Sequence, residues 1–332
     1  MMRPSRILAM LLLAWVVGSA SPAAAETFKV TTLDRDNDVL TEPLKWWMRT
    51  IAERTAQRVH LEPFWAESLV PLARTMSAVQ SGIADVGWFV TPILSGQEKD
   101  FSILTVPGSI PADGARFLQA WQAIKPVMGS ILDRHGVVML WPRPSPKVPL
   151  ACKSKFLTQA SDYAGVKVRA AGQWQIAAVT RWGASAFPIA PAETYTALQR
   201  GTVDCTYHIY PVLWSLKLYE VAPYITRIDF AGGFTFMGMN REKWNRLAEA
   251  DRQVIEEASR EATRREIETL KQREEGLIED MKKAGAKVHV PAAAERKRLS
   301  DAVKPLWQEV RKVMGPDGQK LADLLEPFET QR

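Results

Sequence analysis

Apolar positions along this chain come in two rhythms, short runs of period two and longer stretches near helical spacing. Phe28–Thr32 reads as an opening strand, Pro43–Thr55 as a helix, Val59–Phe64 as a strand and Pro71–Ser81 as a helix. Val137–Trp141 is a further strand. Strands and helices in alternation predict an α/β fold with parallel or mixed sheets covered by helices. The passage WPRPSPKVP, residues 141–149, cannot be helical, because its prolines lack the N–H that a helix interior needs. It runs into the apolar stretch Leu150–Cys152 and is predicted to carry the chain from a first lobe to a second.

From Arg241 the pattern changes. Residues 241–284 are dense in Glu, Arg and Lys, contain no proline and only one glycine, Gly276. Leu247, Val254, Ile255, Ala258, Ala262, Ile267, Leu270, Leu277, Ile278 and Met281 fall near helical spacing. One or two long amphipathic helices are predicted, ending at Gly285. Alanines and charges interrupt the heptads a coiled coil would need, so the helix is expected to lie across both lobes.

One segment repeats. Residues 75–85 read TMSAVQSGIAD and residues 194–204 read TYTALQRGTVD, 119 residues apart. Each copy is a helix that stops at a glycine able to take positive φ, followed at once by a buried strand, Ile83–Trp88 and Thr202–His208. Two similar lobes are expected, with Asp85 and Asp204 bonding the backbone of their own turns.

The first 25 residues stand apart from this pattern. Arg3 and Arg6 precede an apolar run, Ile7–Val17, and Ala23-Ala24-Ala25 follows, the layout of a cleavable export signal. No cysteine follows the apolar run, so no lipid anchor is expected. The remaining 307 residues hold 41 basic and 37 acidic side chains and suit two lobes better than one core. That surplus is too small, and too little interleaved with aromatics, to suggest nucleic acid. Cys152 and Cys205 each sit in an apolar, strand-like run; the reading favours two isolated buried thiols over a disulfide. The histidines at 60, 135, 208 and 289 are scattered and give no metal spacing.

Enzymatic motifs are wanting: there is no G-x-S-x-G, no glycine-rich phosphate loop and no H-E-x-x-H. DRDND, with Asp34, Asp36 and Asp38, lacks the glycine and glutamate of a calcium loop and reads as a solvated acidic turn. Binding remains. In GVKVRAAGQW, residues 165–174, Arg169 closes a short strand beside a glycine and a tryptophan. A planar guanidinium there can give two parallel hydrogen bonds to one carboxylate, which a lysine cannot copy. Trp88 and Phe89 end the first-lobe strand, Trp174 follows Arg169, and Tyr207 and Tyr210 flank His208. These aromatics suit a carboxylate with an apolar body, and core packing is the alternative for each.

The segments GVKVRAAG, WGASAFPIAPAETYTALQRGTVD and YEVAPYIT resemble the solute-binding proteins of TRAP transporters, the DctP-like family. The resemblance implies a bilobal periplasmic-binding-protein fold, two α/β lobes joined by crossing strands and a long helix. The first lobe would take residues 26–148 and about 235–270, the second 149–234 and about 271–332. It implies no enzyme and no cofactor, but a periplasmic receptor, monomeric, that delivers a small-molecule carboxylate to integral-membrane TRAP permease subunits. The family's carboxylate clamp falls on Arg169. A ligand-contacting asparagine falls on His208, a departure, and Cys205 stands where the family has glycine. The family's second cation falls near Pro149, where Lys147 and Lys153 flank it; Lys153 joins Arg169, His208, Trp88, Phe89, Trp174 and Tyr210 as candidate ligand contacts. A receptor for an ATP-driven importer, or an exported enzyme using Asp204 and His208, are the other readings.

Overall fold

The computed structural model describes residues 25–36, 41–231 and 233–328. The expected export signal, up to Ala24, and Asp38 lie outside the described residues. The first stretch runs β1 (Glu26–Thr31), α1 (Glu42–Arg54), β2 (Val59–Phe64), α2 (Thr75–Ser81), β3 (Val86–Val90), α3 (Thr91–Leu94), α4 (Gly114–Arg134) and β4 (Val137–Pro144). The second runs β5 (Lys147–Cys152), α5 (Ala160–Tyr163), β6 (Lys167–Ala170), α6 (Gln173–Trp182), β7 (Ser185–Pro188), α7 (Thr194–Arg200), β8 (Cys205–Tyr207), α8 (Tyr210–Ser215), α9 (Leu218–Val221) and β9 (Tyr224–Ala231). β10 (Phe234–Asn240), α10 (Arg241–Arg246), α11 (Glu249–Lys283), β11 (Lys287–His289), α12 (Ala293–Val303), α13 (Pro305–Arg311) and α14 (Pro316–Leu325) complete the chain.

These strands form two sheets, ordered β2-β1-β3-β10-β4 and β11-β9-β5-β8-β6-β7. The chain therefore passes between them three times, from β4 to β5 through Ser145-Pro146, from β9 to β10, and from β10 through α10 and α11 to β11. The proline-rich passage is extended, as its composition requires, but most of it is strand. Arg143, Pro144 and Lys147 pair with β10 or β9.

The repeated segment builds equivalent places in the two sheets. Gly82 and Gly201 both cap their helices at φ +76°, the left-handed region that an L side chain resists. The strands that follow start later than the pattern suggested, at Val86 and Cys205, because the intervening residues form the turn. Each aspartate bonds the neighbouring parallel strand, not its own turn. Lys29 N donates to Asp85 Oδ2 at 2.8 Å, and Lys167 N to Asp204 Oδ2 at 2.9 Å. The return bonds, Asp85 N to Lys29 O and Asp204 N to Lys167 O, close both brackets. By register Thr31 faces Gly87 and Arg169 faces Thr206, so Arg169 occupies in the second sheet the place of Thr31 in the first.

α11 holds the two halves along one edge. Its first half packs Ile255, Ala258 and Ala262 with Leu44, Trp47 and Ile51. Near its end Ile278 and Met281 join Tyr210, Leu213 and Ile225. Between these, Glu266 meets Arg143 and Glu274 meets Lys147, one on each side of the crossing. The tail divides: α12 packs on α6, whereas α14 lies on α4, with Asp317 paired to Arg134. Among the described residues no helix is long and apolar enough to cross a membrane.

Cys152 and Cys205 form a disulfide, which corrects the expectation of two free thiols. The two residues are directly opposed in the antiparallel β5–β8 pair, with Cα atoms 4.0 Å apart. Each was read correctly as strand-borne; what the sequence did not display was that these strands are neighbours in register.

Candidate functional site

A cavity of about 200 Å³ lies between the sheets, at the ends of β1, β3, β6 and β8 and along the β4–β5 crossing. Leu72, Trp88, Val90, Ile93 and Val148 give it apolar walls, and Arg35, Glu67, Gln175 and Tyr207 also line it. Carboxyl ends of strands in α/β folds are where loops diverge and leave room for a ligand.

Arg169 is only 2 % exposed. Its Nε donates to the Ile189 carbonyl at 2.9 Å and its Nη1 to the Tyr207 carbonyl at 3.4 Å. These bonds fix the guanidinium plane and leave Nη2 without an acceptor among the described residues. No described carboxylate pairs with it. Burial alone pulls its pKa down to about 10, since nothing anionic offsets the desolvation. His208 lines the cavity beside it. The Ile209 N–H donates to His208 Nδ1 at 3.0 Å, so the neutral ring carries its proton on Nε2. That Nε2 is buried without a protein partner, and burial together with the Arg169 charge lowers the histidine well below its usual range. Trp88 adds a third donor, an Nε1–H that is buried and has no acceptor.

Arg143, which lines the opposite wall, contrasts with Arg169. It is 3 % exposed and fully engaged: Nη1 donates to Asp34 Oδ2 at 2.7 Å and Nη2 to Glu266 Oε1 at 3.0 Å. Its guanidinium carbon lies 4.6 Å from the centre of the Trp88 ring. Two carboxylates raise its pKa against the effect of burial, while burial pushes Glu266 up to about 7.

Of the predicted contacts, Arg169, His208 and Trp88 come together on this cavity. Phe89, Trp174, Tyr210 and Lys153 do not line it. Strand alternation turns Phe89 away from Trp88 into the core, where it stacks on Phe236 at 4.9 Å. Trp174, in the first turn of α6, is buried in the core. Tyr210 donates its hydroxyl to Asp229 at 2.6 Å. Neither flanking lysine lines the cavity, and Lys147 is tied to Glu274. Arg143 was missed because it sits between prolines in a passage read only as a connection. Asp34 was missed because DRDND was read as solvated. Pairing of Asp34 with a distant arginine leaves no local sequence signal; the P-R-P surround, which forces an extended backbone, was the usable clue for Arg143. Among the described residues no cluster of His, Cys, Asp and Glu could hold a metal ion.

Two α/β lobes joined by crossing strands and a long helix, with a lined cavity between them, define a bilobal solute-binding protein. The chain belongs to DctP, the bacterial extracellular solute-binding proteins of family 7, matched over residues 31–313. It is 30 % identical over 167 residues to the 2,3-diketo-L-gulonate-binding periplasmic protein YiaO of Escherichia coli, covering 50 % of this chain and 49 % of that one, about half the relative's length. To the ectoine-binding periplasmic protein TeaA of Halomonas elongata it is 25 % identical over 229 residues, 67 % of this chain and 66 % of that one. Its fold matches a Bordetella pertussis extracytoplasmic solute receptor binding pyroglutamic acid with TM-score 0.83 at 20 % identity, over 91 % of this chain and 100 % of that one.

Proposed function

We propose that this protein is the periplasmic receptor of a TRAP-type secondary transporter and that it captures an organic acid through its carboxylate. The observation that carries this reading is Arg169: a cation withdrawn from water, held by two backbone carbonyls, with no protein counter-charge. Such a group is unfavourable in an empty site and is stabilised when a ligand brings the anion. His208 Nε2–H and Trp88 Nε1–H supply further donors to the same acid. The apolar walls favour a monocarboxylate with an apolar body over a small dicarboxylate. Relatives named for 2,3-diketo-L-gulonate and for pyroglutamic acid support an acid as the ligand class. The receptor works as a monomer with integral-membrane permease subunits, without enzymatic turnover. Its lobes are the two sheets with their helices, α14 belonging with the first through its contact with α4, and they close on the ligand.

The test is a thermal-shift screen of organic acids on the mature protein, followed by calorimetric titration of the best binder against wild type and Arg169→Ala. Affinity should fall by roughly 30-fold or more, as when one partner of a desolvated charge pair is truncated. An unchanged dissociation constant would remove Arg169 from the site.

A further inference from the structure

The acidic turn DRDND delivers Asp34 to the cavity, and this changes the charge balance there. Six charged side chains line the cavity: Asp34, Glu67, Glu266, Arg35, Arg143 and Arg169. Five of them come from the first sheet's loops, from β4 or from α11, and they are three carboxylates against two guanidiniums. The sixth, Arg169, stands on the second sheet without a counter-ion. One wall thus carries a surplus carboxyl group, since burial pushes Glu266 up to about 7 and a neighbouring cation would draw it to its charged form. The other wall carries an unmatched positive charge.

Arg143 cannot correct this. It is a single charge shared by Asp34 and Glu266, bonded to Asp34 at 2.7 Å and to Glu266 at 3.0 Å. A plain monocarboxylate would satisfy Arg169 and leave the acidic wall facing its apolar end. A dicarboxylate would bring its second anion to a wall already in surplus, where exclusion of water strengthens the repulsion. A cation at that end matches both walls.

We infer that the Asp34–Arg143–Glu266 cluster is a subsite for a cationic nitrogen, so that the ligand is a zwitterion, with its carboxylate on Arg169 and its ammonium or iminium group toward Asp34 and Glu266. The inference rests on the carboxylate reading of Arg169 and adds the identity of the opposite end.

Length-matched probes test it by calorimetric titration at neutral pH: 5-aminopentanoate, pentanoate and glutarate, with proline and cyclopentanecarboxylate as a cyclic pair. Each zwitterion should bind about tenfold or more tighter than its uncharged-tail analogue, an expectation set by the desolvated ion contact, and glutarate should bind weakest. In Asp34→Asn, which also takes one counter-charge from Arg143, the ratio of zwitterion to uncharged-tail affinity should fall to within about threefold. Glutarate or pentanoate matching 5-aminopentanoate in wild type would overturn the inference without any variant, as would a preference that survives in Asp34→Asn. An Arg169→Ala arm separates the two levels. Acids that need Arg169 but show no preference for the cation sink the subsite alone. Acids indifferent to Arg169, or no binding by any probe, sink the carboxylate reading and this inference with it.

Discussion

Two buried arginines of this chain face one cavity and have opposite energetic roles. Arg143 has its counter-charges built in, so its removal strands Asp34 and Glu266 away from water. Arg143→Ala should cost about 3–5 kcal/mol of folding stability, the usual result of breaking a buried pair from one side. Arg169→Ala strands no charge, only removing a donor from the Ile189 and Tyr207 carbonyls, and should change the ligand-free denaturation midpoint little. Chemical denaturation of both variants checks the contrast; equal losses would mean that Arg169 is a structural residue. Arg169→Lys should restore charge but only part of the affinity, because the fork is lost. His208 sets a pH effect. Its folded pKa is depressed, so below the ordinary value of about 6.5 the unfolded chain takes up a proton that the folded one refuses, and stability falls as pH falls. Glu266, raised to about 7, acts in the opposite sense across the window from there down to its ordinary carboxylate range. The histidine's share is therefore read as a difference: between pH 6.5 and 5.5 wild type should lose about 1 kcal/mol more than His208→Asn. No difference between them would mean that the imidazole charges freely.

At the scale of elements, the disulfide fastens β5 to β8, the strand that leads directly into His208. Under denaturing, non-reducing conditions the protein should show no free thiol and a mass two hydrogens below the reduced chain. Replacing both cysteines by serine should cost about 2–4 kcal/mol by freeing the unfolded chain. A reactive thiol in the unreduced protein would contradict the pairing. Much of the fold was legible at this level because its signals are local. The glycine stops at 82 and 201, the ban on helix at 141–149 and the charged helix after 241 each depend on a few adjacent residues. Arg169 was legible for the same reason, as a cation at the end of a short alternating strand. The facts that escaped are pairings between distant segments: Cys152 opposite Cys205, Arg143 between Asp34 and Glu266, and the turn of Phe89 away from Trp88's side. Periodicity assigns a residue to a face without saying which face meets the cavity. For Trp174 and Tyr210 that difference decided between the cavity lining and the core.

For the whole molecule, the lining residues are separated onto two sheets, so the proposed capture of an acid requires closure. Saturation with a binding acid should reduce the radius of gyration in solution scattering, and identical profiles at proven saturation would count against hinged lobes. The strand order carries a further consequence, for how the chain is made. β10 lies inside the first sheet, between β3 and β4, yet it is specified only at residues 234–240. A chain emerging from its amino end holds β1 to β4 for the time it takes to add everything through β9, with the slot between β3 and the edge strand β4 vacant. Long-range pairing of this kind is slow and late. A fragment ending at Ala231 should therefore show no cooperative unfolding transition, whereas the complete mature chain should. The topology delays completion of the first sheet until β10 has been made, when more than two thirds of the chain is already in place.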